Sequence, residues 1–281
     1  MHYLVLTILC STTIALVLKH SDTKRGEPIV LLAGNYIVAS IISLGIYIFN
    51  DDTSFSYQTI SFGACLGLLF VLSFFSFAKA VGHSGTALAT VSSRLSVIIP
   101  ITFSIIIYNE SPSSYNLIGF LFSFITLILF YFSIGGQDSA GDNPNKYFYL
   151  FVTLVGIGIS DFCLKIFNTW RPLSEVPLFV LSIFTSAMVY LLLFILIRKV
   201  RIEKHTLLLG IGLGVPNLFS TYFLLGALSM LPAIIVYPVV NVGIIIFTAI
   251  FAYLIWKEGI NVLGKWALLT GVIAIVFLSL K

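Results

Sequence analysis

Residues 135–146 read GGQDSAGDNPNK, with three glycines, Asp138, Asp142 and Pro144 in twelve positions, and they fall almost at the middle of a 281-residue chain. No other hydrophilic linker of this size interrupts the sequence. On either side of it the chain is a succession of apolar runs bounded by charge, Gly, Pro or Asn. A bilayer core about 30 Å thick takes roughly 20 apolar residues in a helix. Ten runs meet that need: 3–18, 28–49, 57–78, 85–108, 115–134, 147–167, 176–197, 206–230, 232–256 and 262–280. The first is short and follows only Met1 and His2, without the basic leader and cleavage site of a signal peptide, and is read as a retained span. Lipid offers no partner for open backbone groups, and the in–out alternation of a barrel is absent, so the spans are helices. The expected fold is an all-α integral membrane protein of ten transmembrane helices, five before the linker and five after it.

Composition agrees. Hydrophobic residues make up 59% of the chain and charged residues 9%, against about a quarter charged in a soluble domain, and mean hydropathy is +1.08. No stretch is polar enough for a separate soluble domain. The net charge of +4 comes from 15 basic and 11 acidic residues thinly spread, without the basic block that tracks phosphates, which argues against a nucleic-acid partner. Cys10, Cys65 and Cys163 lie inside apolar runs and read as buried thiols. His2, His20, His83 and His205 are scattered near helix ends without metal spacing, and neither a nucleophile elbow, a zinc-protease motif nor a phosphate loop is present. The sequence thus offers no catalytic constellation, metal site or cofactor motif. Asn109-Glu110-Ser111 matches a glycosylation sequon, but Pro112 follows in a short loop, and the match is taken as accidental.

The two halves, 1–134 and 147–281, match at a nearly constant offset. Thr7 and Lys19 of span 1 correspond to Thr153 and Lys165 of span 6, Gly63 and Gly67 of span 3 to Gly210 and Gly214 of span 8, Ser73 to Ser220, and Glu110 to Glu258. Five spans is an odd number, so the second copy enters the membrane from the opposite side. That gives two inverted five-helix repeats, an architecture suited to alternating access. The glycine pairs are read as sites of close packing within each repeat.

These residues resemble the ten-helix EamA-type transporters of the drug/metabolite transporter superfamily. The resemblance covers nearly the whole chain and is sharpest over residues 213–271, LGVPNLFSTYFLLGALSMLPAIIVYPVVNVGIIIFTAIFAYLIWKEGINVLGKWALLTG. There a Gly-rich span, a tight turn, a long span and Lys257-Glu258 precede a last span containing Gly264; span 3 into span 4, with Gly67, Ala80 and Thr86 to Glu110, looks like the same module. The resemblance implies a metabolite exporter or uptake carrier of a bacterial inner membrane, with a central cavity lined mainly by spans 1, 3, 4, 6, 8 and 9. It leaves the solute open, since the superfamily handles amino acids, sugar derivatives, nucleotide sugars and drugs.

With ten spans both termini share one side. The loops on the other side hold Lys19, Lys24, Arg25, Lys79, Lys146, Arg198, Lys199, Arg201, Lys204, Lys257 and Lys265, against Arg171 and Lys281 on the terminal side. Positive-inside bias then places both termini outside, although many members of the resembled family keep them in the cytoplasm.

Arg94 lies nine positions into span 4, roughly 13 Å deep, too far to snorkel. A charge there costs about 2.5–3.5 kcal/mol even on the lenient insertion scale and needs a partner. Two readings stand: a fixed cation receiving a carboxylate or phosphate of the solute, or an ion pair with Asp161 or a link to helix carbonyls that orders the bundle. Asp161 in span 6 precedes Lys165 by one turn. It is either an i,i+4 ion pair with that lysine or a proton-linked coupling carboxylate. Glu110 and Glu258, at helix exits, read as solvated or capping groups. Asn241 of span 9 is the mate of Arg94, and Tyr237 shares its face, with Pro238 freeing a backbone carbonyl between them. Asn217, Ser220 and Thr221 form a polar stripe on span 8. Together these groups would bind a polar solute while Phe74, Phe77 and Tyr222 contact its apolar part, the alternative being interhelical hydrogen bonds. Asn35-Tyr36 of span 2 reads as packing.

The leading reading is a secondary transporter, moving a small amphipathic solute such as an amino acid or related metabolite, with a proton or counter-solute as an open coupling partner. No nucleotide-binding motif points to a pump. The rival is a non-transporting membrane scaffold or receptor; an enzyme acting on lipid would need a constellation the sequence lacks.

Overall fold

Helix starts and stops are written in local chemistry. Pro28 opens the second helix and Pro177 sits in the first turn of the seventh, where a missing N–H costs nothing. Ser56 Oγ accepts the Thr59 N–H at 3.4 Å and Asn261 Oδ1 the Gly264 N–H at 2.8 Å, each capping a helix N-terminus. The computed structural model describes residues 2–23, 27–50, 54–134, 145–257 and 261–280. These form α1 (His2–Thr23), α2 (Pro28–Phe49), α3 (Tyr57–Leu95), α4 (Ile98–Tyr108), α5 (Ser114–Ile134), α6 (Asn145–Trp170), a 3-10 turn (Leu173–Glu175), α7 (Val176–Arg198), α8 (Lys204–Leu228), α9 (Ala233–Trp256) and α10 (Val262–Ser279). No strand occurs among the described residues. Among the described residues nine segments are long and apolar enough to cross a membrane; the apolar part of α1, His2–Leu18, is shorter. The linker at 135–144, Glu258, Lys24, Arg25 and Lys281 lie outside the described residues.

One boundary differs from the sequence reading. Helical hydrogen bonding runs unbroken through the expected turn between spans 3 and 4, and the interruption comes instead at Ser96–Val97. The chain nevertheless reverses. Ser76 Oγ donates to the Tyr149 carbonyl at 3.3 Å and Ser92 Oγ to the Leu150 carbonyl at 2.6 Å. Sixteen residues of straight helix would separate these serines by roughly 24 Å, whereas their acceptors are consecutive residues of α6. Spans 3 and 4 are therefore two limbs that both lie against α6.

Nearly every large helix contact joins the first half of the chain to the second. α3 packs on α6 and α7, α8 on α1 and α2, α1 also on α9, and α6 also on α4. Adding five to each helix number turns these neighbours into one another. The equivalents α2 and α7, α4 and α9, and α5 and α10 touch directly. At these seams Ser40 and Thr185, 145 residues apart, share a 2.8 Å hydrogen bond, and Thr126 donates at 3.0 Å to Thr270, 144 residues away. Matched positions also repeat local chemistry. Thr7 and Thr153 each return their hydroxyl to the carbonyl four residues back. Asn109 and Lys257, each immediately before a matched glutamate, both adopt a left-handed backbone, at φ 51° and 54°.

The glycine pairs work between the halves, not within each repeat as their spacing alone suggested. Gly63 and Gly67 bring α3 against Phe179, Ser182 and Ile183 of α7, and Gly210 and Gly214 bring α8 against the Leu31 and Asn35 carbonyls of α2. Lipid tails are as apolar as leucine, so such approach supplies the packing that holds helices together. On the same side of the bundle as Tyr3, Arg171 grips Glu175 through two 2.8 Å bonds and reaches Gln58 and Ser56 at the head of α3, while Thr59 also donates to Glu175.

Gly212 provides an internal control for this packing, because a Cβ there would meet nothing, whereas at Gly210 it would strike the α2 backbone. Gly210→Ala is expected to destabilise the protein by about 1–3 kcal/mol, and Gly212→Ala to leave it unchanged or slightly stabilised. Thermal unfolding in detergent checks the pair.

Candidate functional site

The first two turns of α9 assemble the polar centre of the molecule. Its Ala233 and Ile234 amides have no partner within the helix. They donate to the two carboxylate oxygens of Glu110, each at 3.1 Å. One turn on, Tyr237 is 1% exposed and its hydroxyl donates at 2.5 Å to the backbone carbonyl of Asp161 on α6. One turn further, Asn241 accepts a 3.3 Å hydrogen bond from Arg94 through Oδ1, while its amide donates at 3.0 Å to the Tyr237 carbonyl. Pro238, inside the helix, has no N–H to give the Ile234 carbonyl and loosens the ladder between these anchors.

Arg94, Tyr237, Asn241 and Asp161 are thus brought together from spans 4, 9 and 6. The partner of Arg94 is its own matched position, 147 residues away, where the sequence offered Asp161 or helix carbonyls. No ion pair between Arg94 and Asp161 occurs among the described contacts.

Lys165 departs from its expected i,i+4 pairing. Its Nζ meets Glu110 Oε1 at 2.7 Å, with both side chains about nine-tenths buried, and sits 5.6 Å from the centre of the Tyr108 ring. The path of the chain after α4 explains the choice. Asn109, in the left-handed conformation that asparagine tolerates, ends α4 and turns Glu110 back into the bundle, where its amide reaches the Ser104 carbonyl. Glu110 is the functional candidate that spacing undervalued. It does cap, but it caps α9, not its own helix. The matching offset to Glu258 was the signal available for it.

The remaining candidates scatter. Asn217 donates at 3.1 Å to Asn35, which is 2% exposed on α2, and Thr221 returns its hydroxyl to the Asn217 carbonyl at 3.3 Å. Ser220 shares a 2.6 Å bond with Ser11 of α1. The polar stripe of span 8 is therefore divided between two neighbouring helices. Phe74 and Phe77 stand 6.2 Å apart on α3, and Tyr222 packs on the hydrophobic core of α8's surroundings; no described hydrogen bond or ring contact links these three to Arg94. Beside Asn241, a cavity of about 20 Å³ is lined by Val97, Ile101, Phe120, Ser123, Phe124, Leu127, Pro238 and Val242. That is room for one water, not for a metabolite.

A model of the EamA-like transporter family matches residues 1–132. The match covers just under half of the chain and is a likeness of that part to a family of the drug/metabolite transporter superfamily. Together with the nine segments among the described residues that are long and apolar enough to cross a membrane, this likeness supports a multi-pass membrane protein. An uncharacterized protein of Haemophilus influenzae is 27% identical over 273 residues, covering 94% of this chain and 92% of the relative. A solved crystal structure aligns with a TM-score of 0.78 over 99% of this chain and 95% of the other, at 15% identity. At that identity the likeness speaks for the fold of this chain and not for its solute.

The placement of Asn217 has a direct test. A double-mutant cycle of Asn35→Ala and Asn217→Ala should return a coupling near 0.6 kcal/mol, the average for interhelical hydrogen bonds. Binding of whatever solute stabilises the protein should be unchanged in both single variants, as read by ligand-induced thermal shift.

Proposed function

We propose that this protein is a secondary carrier that moves a small amphipathic solute through the membrane by alternating access. Two five-helix repeats, residues 1–134 and 147–281 joined by the 135–146 linker, would be inverted relative to each other and rock about a shared centre. The observation that carries the reading is the Arg94–Asn241 contact. When two residues at the repeat offset touch each other, the axis relating the repeats runs between them, and the half-buried cation there is the natural receiver of an anionic solute group. The seams at Ser40–Thr185 and Thr126–Thr270 support the same axis.

In this reading Arg94 receives the carboxylate or another anionic group of the solute, an amino acid being one such molecule. Tyr237 and Asn241 orient it, and Asp161 either balances the charge or carries a coupled proton. Phe74, Phe77 and Tyr222 lie on the limbs that would approach an apolar part after rearrangement. This arrangement of the centre is then one state of the cycle. Eleven basic residues on the side opposite the termini would keep that side cytoplasmic, with the termini outside a bacterial inner membrane. The rival, a membrane scaffold or receptor, would leave Arg94 as a structural donor with no solute to exchange.

A thermal-shift screen of the purified protein against a metabolite library, across pH, identifies a stabilising solute, and counterflow in proteoliposomes then tests its movement. Arg94→Ala and Asp161→Asn are each expected to lower counterflow by about tenfold or more, equivalent to about 1.4 kcal/mol, while remaining folded by size exclusion. Full counterflow in both folded variants would remove these residues from the site, and the absence of any stabilising or exchanging solute would favour the scaffold.

A further inference from the structure

Three elements meet at Glu110, and they belong to different halves of the chain. Glu110 follows the last helix turn of span 4, while Lys165 lies on α6 and the Ala233 and Ile234 amides open α9. Both carboxylate oxygens are engaged, one by Lys165 and an α9 amide and the other by the second amide. The positive end of the α9 dipole adds to the attraction for the carboxylate. The cluster lies at the terminal-side end of α4, α6 and α9, one to two turns from the Tyr237–Asp161 and Arg94–Asn241 contacts. It therefore stands between the polar centre and that face of the membrane. Above it, Pro238 leaves the α9 ladder short of one hydrogen bond, so that Ala233–Tyr237 can tilt without breaking a regular helix.

We infer that Glu110 is a positioning residue whose bonds to Lys165 and the α9 N-terminus latch the carrier shut on the side of its termini. The inference rests on the carrier reading above, since only a protein that opens has use for a latch. Release must break a buried ion pair and two charge-assisted hydrogen bonds together, which makes the closed arrangement a discrete state and not one end of a continuum. Opening takes the start of α9 away from the end of α4, and with it the Tyr237 and Asn241 contacts that hold the polar centre. A solute that draws Arg94 from Asn241 would thereby loosen α9 and bias the latch toward release.

The test uses the full-length protein with Cys10, Cys65 and Cys163 replaced by serine. Spin labels are placed at Ser114→Cys, at the exposed start of α5, and Met230→Cys, 62% exposed on the turn leading into α9. Pulsed electron–electron resonance in nanodiscs should give one dominant short distance in the parent. Glu110→Gln and, separately, Lys165→Met should each add a population longer by about one helical turn, ~5 Å or more. Glu110→Asp should retain most of the short population. A distance distribution unmoved in folded Glu110→Gln and Lys165→Met, with only a lower melting temperature, would overturn the latch and leave an ordinary cap. That result would not touch the carrier reading, which stands or falls on solute counterflow and Arg94. If one variant fails to fold, the other still decides the matter.

Discussion

A charge inside a lipid-embedded bundle must be answered by protein or water, because the hydrocarbon around it offers nothing. Much of this molecule's internal order follows from that constraint. Arg94 finds Asn241, Lys165 finds Glu110, and Arg171 finds Glu175 together with Gln58 and Ser56. Each of the first two contacts reaches across from one half of the chain to the other. Hydroxyls meet the same demand more locally: Thr7, Thr126, Thr153 and Ser160 return theirs to the carbonyl of the preceding turn. The charged groups thus fasten the halves together, while most hydroxyls are neutralised on their own helices.

Apolar packing follows a different logic. Burying leucine against leucine gains little when lipid is the alternative, so helices are held by how closely their surfaces fit. Glycines supply that fit at the α3–α7 and α2–α8 seams, where they admit backbone or small serine side chains of the neighbour. Phe167 and Phe179, stacked with centroids 3.7 Å apart, fill the junction of α6 and α7. These seams place first-half helices against second-half helices almost throughout. The two halves are distinct in sequence yet interleaved in space, so a movement of one against the other must exchange specific contacts. Glu110 and the head of α9 form one such contact, tied through Tyr237 and Asn241 to the polar centre.

The sequence by itself determined the helical class, the positions of nine of the crossing segments to within a few residues, and the offset that matches Thr7 with Thr153 and Arg94 with Asn241. Those features depend on quantities that a linear chain displays: run length against bilayer thickness, and spacing between like residues. It also pointed to Arg94 by depth, to Asp161 as a carboxylate deep in an apolar span, to Asn241 as the matched position of Arg94 and to Tyr237 on the same face as Asn241. Tertiary structure alone decided which partner each polar group takes. A helix that is apolar all round carries no amphipathic stripe to announce its rotation, so nothing in the spacing of Asn217 revealed that it turns toward Asn35, or in that of Lys165 that Glu110 outcompetes Asp161. Each residue advances 100° around the axis, and only the packing of neighbouring helices sets where that rotation begins.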